Sequence, residues 1–168
     1  MAGEMRLREM QESDGDAVMR IFNHYAKTSF AAYPDPLPPQ FFPHLKEGAL
    51  SAVVLEDDGG VAGFGLLKPF LPFTAFKKTG MLTYFIAPEF TGRGLGARML
   101  GRLVEDAKRS GQKVLVANIA SKNEASIRFH QQNGFTEAGS LTGLARSSAS
   151  RSMWSGCSGR SDNPRTFF

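Results

Sequence analysis

Cysteine, histidine and long apolar runs are scarce in this chain of 168 residues. Its single cysteine, Cys157, cannot form an internal disulfide, so a disulfide-stapled domain is excluded and a reducing cytoplasm is expected. That cysteine and three scattered histidines make no metal-ligand spacing, so we expect no metal. No stretch approaches the roughly 18 consecutive apolar residues of a membrane span, and no charged-then-apolar leader opens the chain. We therefore expect a single domain without a membrane partner.

The net charge of +4 does not indicate a nucleic-acid partner. Four arginines and one aspartate follow Leu141, and they supply +3 of that charge. The preceding 140 residues are nearly neutral and lack a basic stripe interleaved with aromatic side chains. We therefore expect no nucleic-acid partner.

The spacing of apolar residues predicts an α/β (α+β) fold with one mixed sheet flanked by helices. A hairpin is expected at Asp57-Asp58-Gly59-Gly60, and Gly134 is expected to cap the last helix. The predicted element order is β-α-α-β-β-β-α-β-α-β. The predicted strands before the tail cover 5–10, 52–55, 61–67, 81–86 and 113–119. The first predicted helix begins at Ser13 or Asp14, and three further helices are predicted over 40–47, 97–110 and 123–132.

The segment Thr91-Gly92-Arg93-Gly94-Leu95-Gly96 lies between a predicted strand and a predicted helix. Its three glycines allow tight turns and leave backbone N–H groups uncovered. The first N–H groups of a helix lack internal partners, and the helix dipole adds partial positive charge there. This segment therefore predicts a site for a phosphate or pyrophosphate.

Three classes of ligand use such a loop. A nucleoside-triphosphate loop ends in Gly-Lys-Ser/Thr, whereas Gly96 here precedes Ala97 and Arg98, which excludes that class. Gly92, Gly94 and Ala97 satisfy the dinucleotide pattern, but the next predicted strand ends at Asn118 without the carboxylate that binds the ribose. Coenzyme A is the third class.

The chain resembles the GCN5-related N-acetyltransferase (GNAT) superfamily. The resemblance is carried by the element order, the Gly-x-Gly-x-Gly loop and the pattern Asn123-Glu-Ala-Ser-Ile-Arg-Phe-His130-x-x-x-Gly134-Phe135. Within the superfamily it resembles the phosphinothricin and methionine sulfoximine acetyltransferase group through 21–25, 84–89 and 121–135. The resemblance covers about residues 5–140, and we expect an N-acetyltransferase domain over 1–140.

The resemblance implies acetyl-CoA as the acetyl donor and a small-molecule amine as the acceptor. The acetyl group would pass directly, in a ternary complex, to the α-amino group of an amino acid or analogue. A backbone N–H near Phe85 or Ile86 would stabilise the oxyanion. The residues implied to bind acetyl-CoA are Tyr84, Phe85 and Ile86 through their backbone, the loop residues Thr91, Gly92, Arg93, Gly94, Leu95, Gly96 and Ala97, and Asn123 with Ser126.

The resemblance also implies residues for the acceptor and for proton transfer. His130 occupies the position of the superfamily's usual tyrosine acid, and its alternative interpretation is a surface histidine near a helix end. The related enzymes carry a glutamate base where this chain has Met81, so we expect a water relay; Met81 is either a core residue or a substrate contact. The expected acceptor residues are Asn23, Tyr25, Ser29, Phe30, Thr74, Ala75, Phe76 and Met81. Because the base is missing, an acyl-CoA-binding module with little catalysis is the alternative function.

Residues 141–168 form an atypical tail, rich in Ser, Gly and Arg and almost without a strand pattern. The resemblance implies a last strand reading like Phe-Asp-Val-Val-Trp-Met-Gln here, and a homodimer that this region helps to close. Met153 and Trp154 have the single codons ATG and TGG; with a TCN codon for Ser155, the frame that begins at the G of ATG reads Val-Val. We therefore hypothesise that the tail is an out-of-frame translation of that strand.

Overall fold

The computed structural model describes residues 5–29, 31–32, 35–58, 60–147, 150–157 and 165–167, with the backbone alone from Ser140 onward. The helices are α1 (Gly15–Thr28), α2 (Phe42–Lys46), α3 (Leu95–Arg109) and α4 (Glu124–Gln132). The strands are β1 (Arg6–Glu9), β2 (Ser51–Asp57), β3 (Gly60–Pro69), β4 (Thr79–Ile86), β5 (Val114–Ala117), β6 (Ile119–Ala120), β7 (Glu137–Ser147), β8 (Ser150–Cys157) and β9 (Arg165–Phe167).

The main sheet has the strand order β1-β2-β3-β4-β5-β9 among the described residues. Strands β1 to β4 form an antiparallel meander, whereas β5 runs parallel to β4 and β9 parallel to β5. A second sheet has the order β6-β8-β7. The predicted fold class, a mixed sheet flanked by helices, is confirmed.

The structure differs from the predicted order at two places. The predicted strand 113–119 is broken at Asn118, because β5 pairs with β4 whereas β6 pairs with β8 in the second sheet. After α4 the backbone forms β7, β8 and β9, although the sequence there has almost no strand pattern. The hypothesis of an out-of-frame tail concerns side chains outside the described ones, so it stays a hypothesis.

Each face of the main sheet carries its own hydrophobic core, as expected when side chains of a strand alternate between faces. On one face Leu82 packs with the apolar stripe of α3, which includes Met99 and Leu103. On the other face Phe64 packs with α1 and α2. Gly65 lets α3 approach closely, since a Cβ there would lie 2.7 Å from the Sδ of Met99.

Strands β4 and β5 separate halfway along β4. Their parallel pairing runs from Thr79–Val114 to Leu82–Ala117 and ends there. Beyond that point the chain leaves β5 through Asn118 and joins the second sheet. The edge of β4 from Thr83 to Ile86 therefore faces a gap in the main sheet.

Candidate functional site

A cleft of about 530 Å³ occupies the gap between β4 and β5. One side, called the α4 side, is lined by Tyr84, Ile86, Gly96, Asn123, Ser126, Phe129 and His130. The opposite side, called the α1 side, is lined by Phe22, Tyr25, Ala31, Ala32, Leu37, Phe41, Leu45, Met81 and Phe85. The described lining contains no Asp, Glu, Lys or Arg side chain.

The glycine loop has the geometry that its composition predicts. Gly92 and Gly94 have φ values of +74° and +73°, a left-handed conformation that other residues rarely adopt. The N–H of Arg98 donates to the carbonyl of Gly94 in the first turn of α3. The N–H groups of Leu95, Gly96 and Ala97 therefore form the start of the helix, where an anion binds best.

The side chains of the loop contact the protein itself. The hydroxyl of Thr91 donates to the carbonyl of Pro88 at 2.8 Å. The guanidinium of Arg93 donates to the carbonyl of Glu89 at 3.1 Å and lies 5.3 Å from the centre of the Phe90 ring. Leu95 is buried in the core. What the loop presents to an anion is therefore its backbone.

Backbone groups of β4 point alternately to β3 and into the cleft. The N–H of Ala87 donates to Ala62 of β3 at 2.8 Å, whereas the carbonyl of Ile86 accepts the hydroxyl of Tyr25 at 2.6 Å. Because successive residues of a strand direct their polar groups to opposite edges, the backbone of Tyr84 faces the cleft and that of Phe85 faces β3. Of the three backbones expected to pair with acetyl-CoA, two face the cleft, and Phe85 contributes its ring.

The hydroxyl of Tyr84 and the imidazole of His130 form a buried pair. The hydroxyl lies 2.7 Å from Nε2 of His130, and Nδ1 of the same ring lies 2.7 Å from the carbonyl of Ser126. A carbonyl can only accept, so the network assigns the proton to Nδ1, and Nε2 accepts the hydroxyl of Tyr84. Burial lowers the pKa of His130 and raises the pKa of Tyr84 well above its ordinary value. Both groups are therefore neutral near pH 7.

His130 is held in place by its own helix end. Its side chain is 4% exposed, so the alternative of a surface histidine is wrong. The N–H of Phe135 donates to the carbonyl of His130 at 3.0 Å, and that of Gly134 donates to Gln131 at 3.1 Å. With a φ of +86° at Gly134, this is a Schellman motif, and the predicted C-cap is confirmed. The motif presses the Phe135 ring against His130, with ring centres 4.9 Å apart.

The pairing of Tyr84 with His130 was missed by the sequence reasoning, which gave Tyr84 a backbone role alone. The two residues lie 46 positions apart, and local patterns do not report such contacts. One signal was available in the sequence. Leu82, Tyr84 and Ile86 lie two residues apart along a strand, so their side chains point to the same face of the sheet, which is the face that α4 covers.

Asn123 and Ser126 begin α4 at the edge of the cleft. The Oδ1 of Asn123 accepts the N–H of Ser126 at 3.2 Å, which is an ordinary N-cap. Both residues line the cleft beside Gly96. The structure thus brings the expected acetyl-CoA residues of α4 next to the glycine loop.

Only some of the residues expected to contact the acceptor line the cleft. Tyr25 and Met81 line the α1 side of the cleft. Asn23 instead exchanges hydrogen bonds of 2.7 and 2.8 Å with the backbone of Leu37, and so holds the segment that follows α1. Ser29 is exposed at the end of α1, where its hydroxyl donates to the carbonyl of Tyr25. Thr74, Ala75 and Phe76 form a 3-10 turn before β4 and are not among the lining residues, and Phe30 lies outside the described residues.

The described part of the chain contains neither a metal site nor a membrane-spanning helix. Groups of three or more His, Cys, Asp or Glu side chains suited to a metal ion do not occur there. Within the same residues, no helix has the length and apolarity needed to cross a membrane.

Comparisons with known proteins match the whole region of the cleft. A model of the acetyltransferase (GNAT) family matches residues 18–135. The L-methionine sulfoximine/L-methionine sulfone acetyltransferase of Salmonella typhimurium is 31% identical over 137 residues, which are 79% of this chain and 80% of that protein. The phosphinothricin N-acetyltransferase of Alcaligenes faecalis is 27% identical over 141 residues, 80% of this chain and 72% of that protein.

A solved structure is similar as well. An acetyltransferase from Salmonella typhimurium, solved with its cofactor acetyl-CoA, has a TM-score of 0.81 at 27% identity. The match covers 90% of this chain and 91% of that one. The resemblance to the acetyltransferase (GNAT) family expected from the sequence is therefore confirmed, and the family model spans residues 18–135.

Proposed function

This chain belongs to the acetyltransferase (GNAT) family, and we propose that it transfers acetyl from acetyl-CoA to the α-amino group of a small amino acid or analogue. The enzyme class, N-acetyltransferase, follows from the family. The acceptor class is the proposal, and the named relatives act on methionine sulfoximine, methionine sulfone or phosphinothricin. The observation that carries the proposal is a cleft that joins an anion-binding helix start to a buried Tyr84–His130 pair.

The residues on the α4 side fit acetyl-CoA. The backbone N–H groups of Leu95, Gly96 and Ala97 suit its pyrophosphate, because they combine free donors with the positive end of the α3 dipole. The open edge of β4 at Tyr84 and Ile86 suits the amide groups of its pantetheine arm. Acetyl-CoA supplies an acetyl group activated as a thioester. We assign the stabilisation of its carbonyl oxygen to the N–H of Ile86, which points into the cleft.

We propose that His130 acts in proton transfer through the hydroxyl of Tyr84, on the α4 side where acetyl-CoA would bind. After the amine attacks, the Tyr84 oxygen can take one proton from the nitrogen while its own proton passes to Nε2 of His130. The reverse transfer then returns a proton to the departing sulfur. Nδ1–H of His130 is committed to the carbonyl of Ser126, so Nε2 is the atom that holds the hydroxyl of Tyr84. His130 thereby fixes the direction of the Tyr84 O–H dipole.

The amine loses its proton without help from a carboxylate. By the resemblance, Met81 stands where the related enzymes carry a glutamate, and the described lining holds no carboxylate side chain. The α-amino group of a free amino acid is mostly protonated near neutral pH, so its proton has to pass to water before the amine attacks. We therefore propose a water relay on the α1 side.

Three further proposals rest on the resemblance and the sequence. We propose that the protein is cytoplasmic and that it is a homodimer, and light scattering on the purified chain would test the dimer. We also propose that residues 141–168 are translated out of frame. Sequencing the gene tests this directly: a single-base shift restores Asp-Val-Val-Trp-Met, and a gene in which no shift does so contradicts the hypothesis.

Acceptor-dependent release of the coenzyme A thiol tests the proposed function. The purified chain is mixed with acetyl-CoA and a panel of amino acids that includes methionine sulfone and methionine sulfoximine. We expect thiol release that depends on the acceptor, together with an N-acetyl product in the mass spectrum. Tight binding of acetyl-CoA without such release would instead indicate an acyl-CoA-binding module.

A further inference from the structure

Most side chains on the described α1 side of the cleft are apolar, and the exceptions are the hydroxyls of Tyr25 and of Thr83, which shares the face of Met81 and Phe85. Its wall consists of aliphatic and aromatic side chains from α1, from α2 and from the segment between them, including Phe22, Leu37, Phe41 and Leu45. Met81 and Phe85 of β4 complete it. By sequence, the segment 29–34 reads Ser-Phe-Ala-Ala-Tyr-Pro and carries no charge either.

The charged groups beside this wall, and the polar groups of Tyr25 and Asn23, already have partners within the protein. The hydroxyl of Tyr25 donates to the carbonyl of Ile86 at 2.6 Å. The amide of Asn23 is paired with the backbone of Leu37. Lys68, which is opposite Met81 in the β3–β4 register, directs its Nζ to the carbonyl of His44 at 3.3 Å. Lys46 is paired with Glu12. An anionic side chain in the cleft would therefore meet no free cation in the described lining.

From this geometry we infer that the acceptor carries an uncharged, mainly apolar side chain, and that acceptors with anionic side chains are rejected. The inference rests on the proposed function and narrows its acceptor class. Its physical basis is that an apolar pocket repays the burial of apolar surface, whereas a carboxylate or phosphinate buried without a partner loses its hydration uncompensated. The α-carboxylate, shared by all these acceptors, does not enter the comparison.

Methionine sulfone and phosphinothricin provide a matched test. Their side chains have the same length and end in a methyl group, but the sulfone is neutral and the phosphinate is anionic. We expect kcat/KM for the sulfone to exceed that for phosphinothricin by about 100-fold, with L-leucine at or above the sulfone. Equal or better turnover of phosphinothricin would overturn the inference and leave the proposed function intact. If no acceptor releases thiol, the proposed function itself fails.

A charge placed on the wall should reverse the preference. Leu45→Arg puts a cation on the α1 side, so the sulfone-to-phosphinothricin ratio should fall at least about tenfold. Leu50→Arg makes the same change outside the cleft, where Leu50 is 41% exposed, and should leave the ratio unchanged. Acetyl-CoA binding by calorimetry verifies folding, and Ala31→Arg replaces Leu45→Arg if that variant does not fold. An unchanged ratio in a folded cleft variant would contradict the inference.

Discussion

Tyr84 and His130 show how burial can keep two titratable groups neutral. Each loses water in the cleft wall, which lowers the pKa of the imidazole and raises that of the phenol. Neutrality allows a directional hydrogen bond of 2.7 Å, in which Nε2 can only accept because Nδ1 carries the proton. At the scale of residues, the site is therefore built on an oriented dipole rather than on a charge.

Removing either member of this pair should slow acetyl transfer more than it weakens acetyl-CoA binding. His130→Ala removes the acceptor of the Tyr84 hydroxyl, and Tyr84→Phe removes the hydroxyl and keeps the ring. We expect each to lower kcat by about 100-fold, in the range of one general acid–base group. Steady-state kinetics and calorimetric titration with acetyl-CoA separate the two effects.

The double variant tests whether the two residues act as a unit. Because the proposed proton path needs both, Tyr84→Phe combined with His130→Ala should cost little more than either change alone. His44→Ala, at an exposed histidine outside the cleft lining, is the control and should keep the full rate. Additive losses, or an unchanged rate in His130→Ala, would remove the assignment.

The dependence of the rate on pH reports whether water or a base on the enzyme accepts the proton that the amine loses. The pKa of His130 lies below its usual value, so this histidine stays neutral from neutral pH upward and is protonated only in acid. With no acid in the described lining, kcat/KM should rise with pH as the acceptor itself deprotonates. For two acceptors whose amines differ in pKa, the pH at which kcat/KM rises should differ by the same amount. A rise at the same pH for both acceptors would reveal a base on the enzyme.

At the scale of elements, the glycine loop and the start of α3 depend on backbone conformation. Gly94 has a φ of +73°, whereas Gly101 lies on the exposed surface of α3. Gly94→Ala should lower the free energy of unfolding by about 1 kcal/mol through left-handed strain and weaken acetyl-CoA binding. Gly101→Ala should raise it by roughly 1 kcal/mol through helix propensity.

Thermal unfolding measures both changes, at about 2–4 °C per kcal/mol for a chain of this size. Calorimetry supplies the affinity for acetyl-CoA. The identical substitution at Gly101 controls for the added methyl group. If Gly94→Ala melts at the original temperature and binds acetyl-CoA with unchanged affinity, the loop does not have the role assigned to it.

The elements themselves were largely predictable from the sequence, because periodicity is a local property. The stripe of α3, the hairpin at 57–60 and the cap at Gly134 followed from spacing and turn chemistry. The break at Asn118 did not, since it depends on the pairing of β6 with β8, whose partner residues lie 34 and 36 positions later in the chain. Tyr84 and His130 were unpaired in the prediction for the same reason: their contact is made by the packing of α4 on the sheet.

At the scale of the whole molecule, the main sheet separates the two halves of the proposed site. Helices α3 and α4 cover the face that suits acetyl-CoA, and α1 and α2 cover the face that suits the acceptor. The gap between β4 and β5 connects the two faces, so both substrates can meet in one cleft. This arrangement favours direct transfer over a route through an acetylated enzyme.

The serine of the described lining, Ser126, lacks a base. Ser126 Oγ lies 3.3 Å from Nδ1 of His130, but that nitrogen carries its own proton toward the carbonyl of Ser126. Cysteine and lysine side chains are absent from the described lining. We therefore propose that both substrates occupy the cleft together and that acetyl passes straight to the amine.

Initial velocities with acetyl-CoA and the acceptor both varied test this claim most directly. Direct transfer predicts double-reciprocal lines that intersect, and an enzyme mass that stays unchanged when acetyl-CoA is added alone. Parallel lines, together with an enzyme heavier by one acetyl group after exposure to acetyl-CoA, would contradict it.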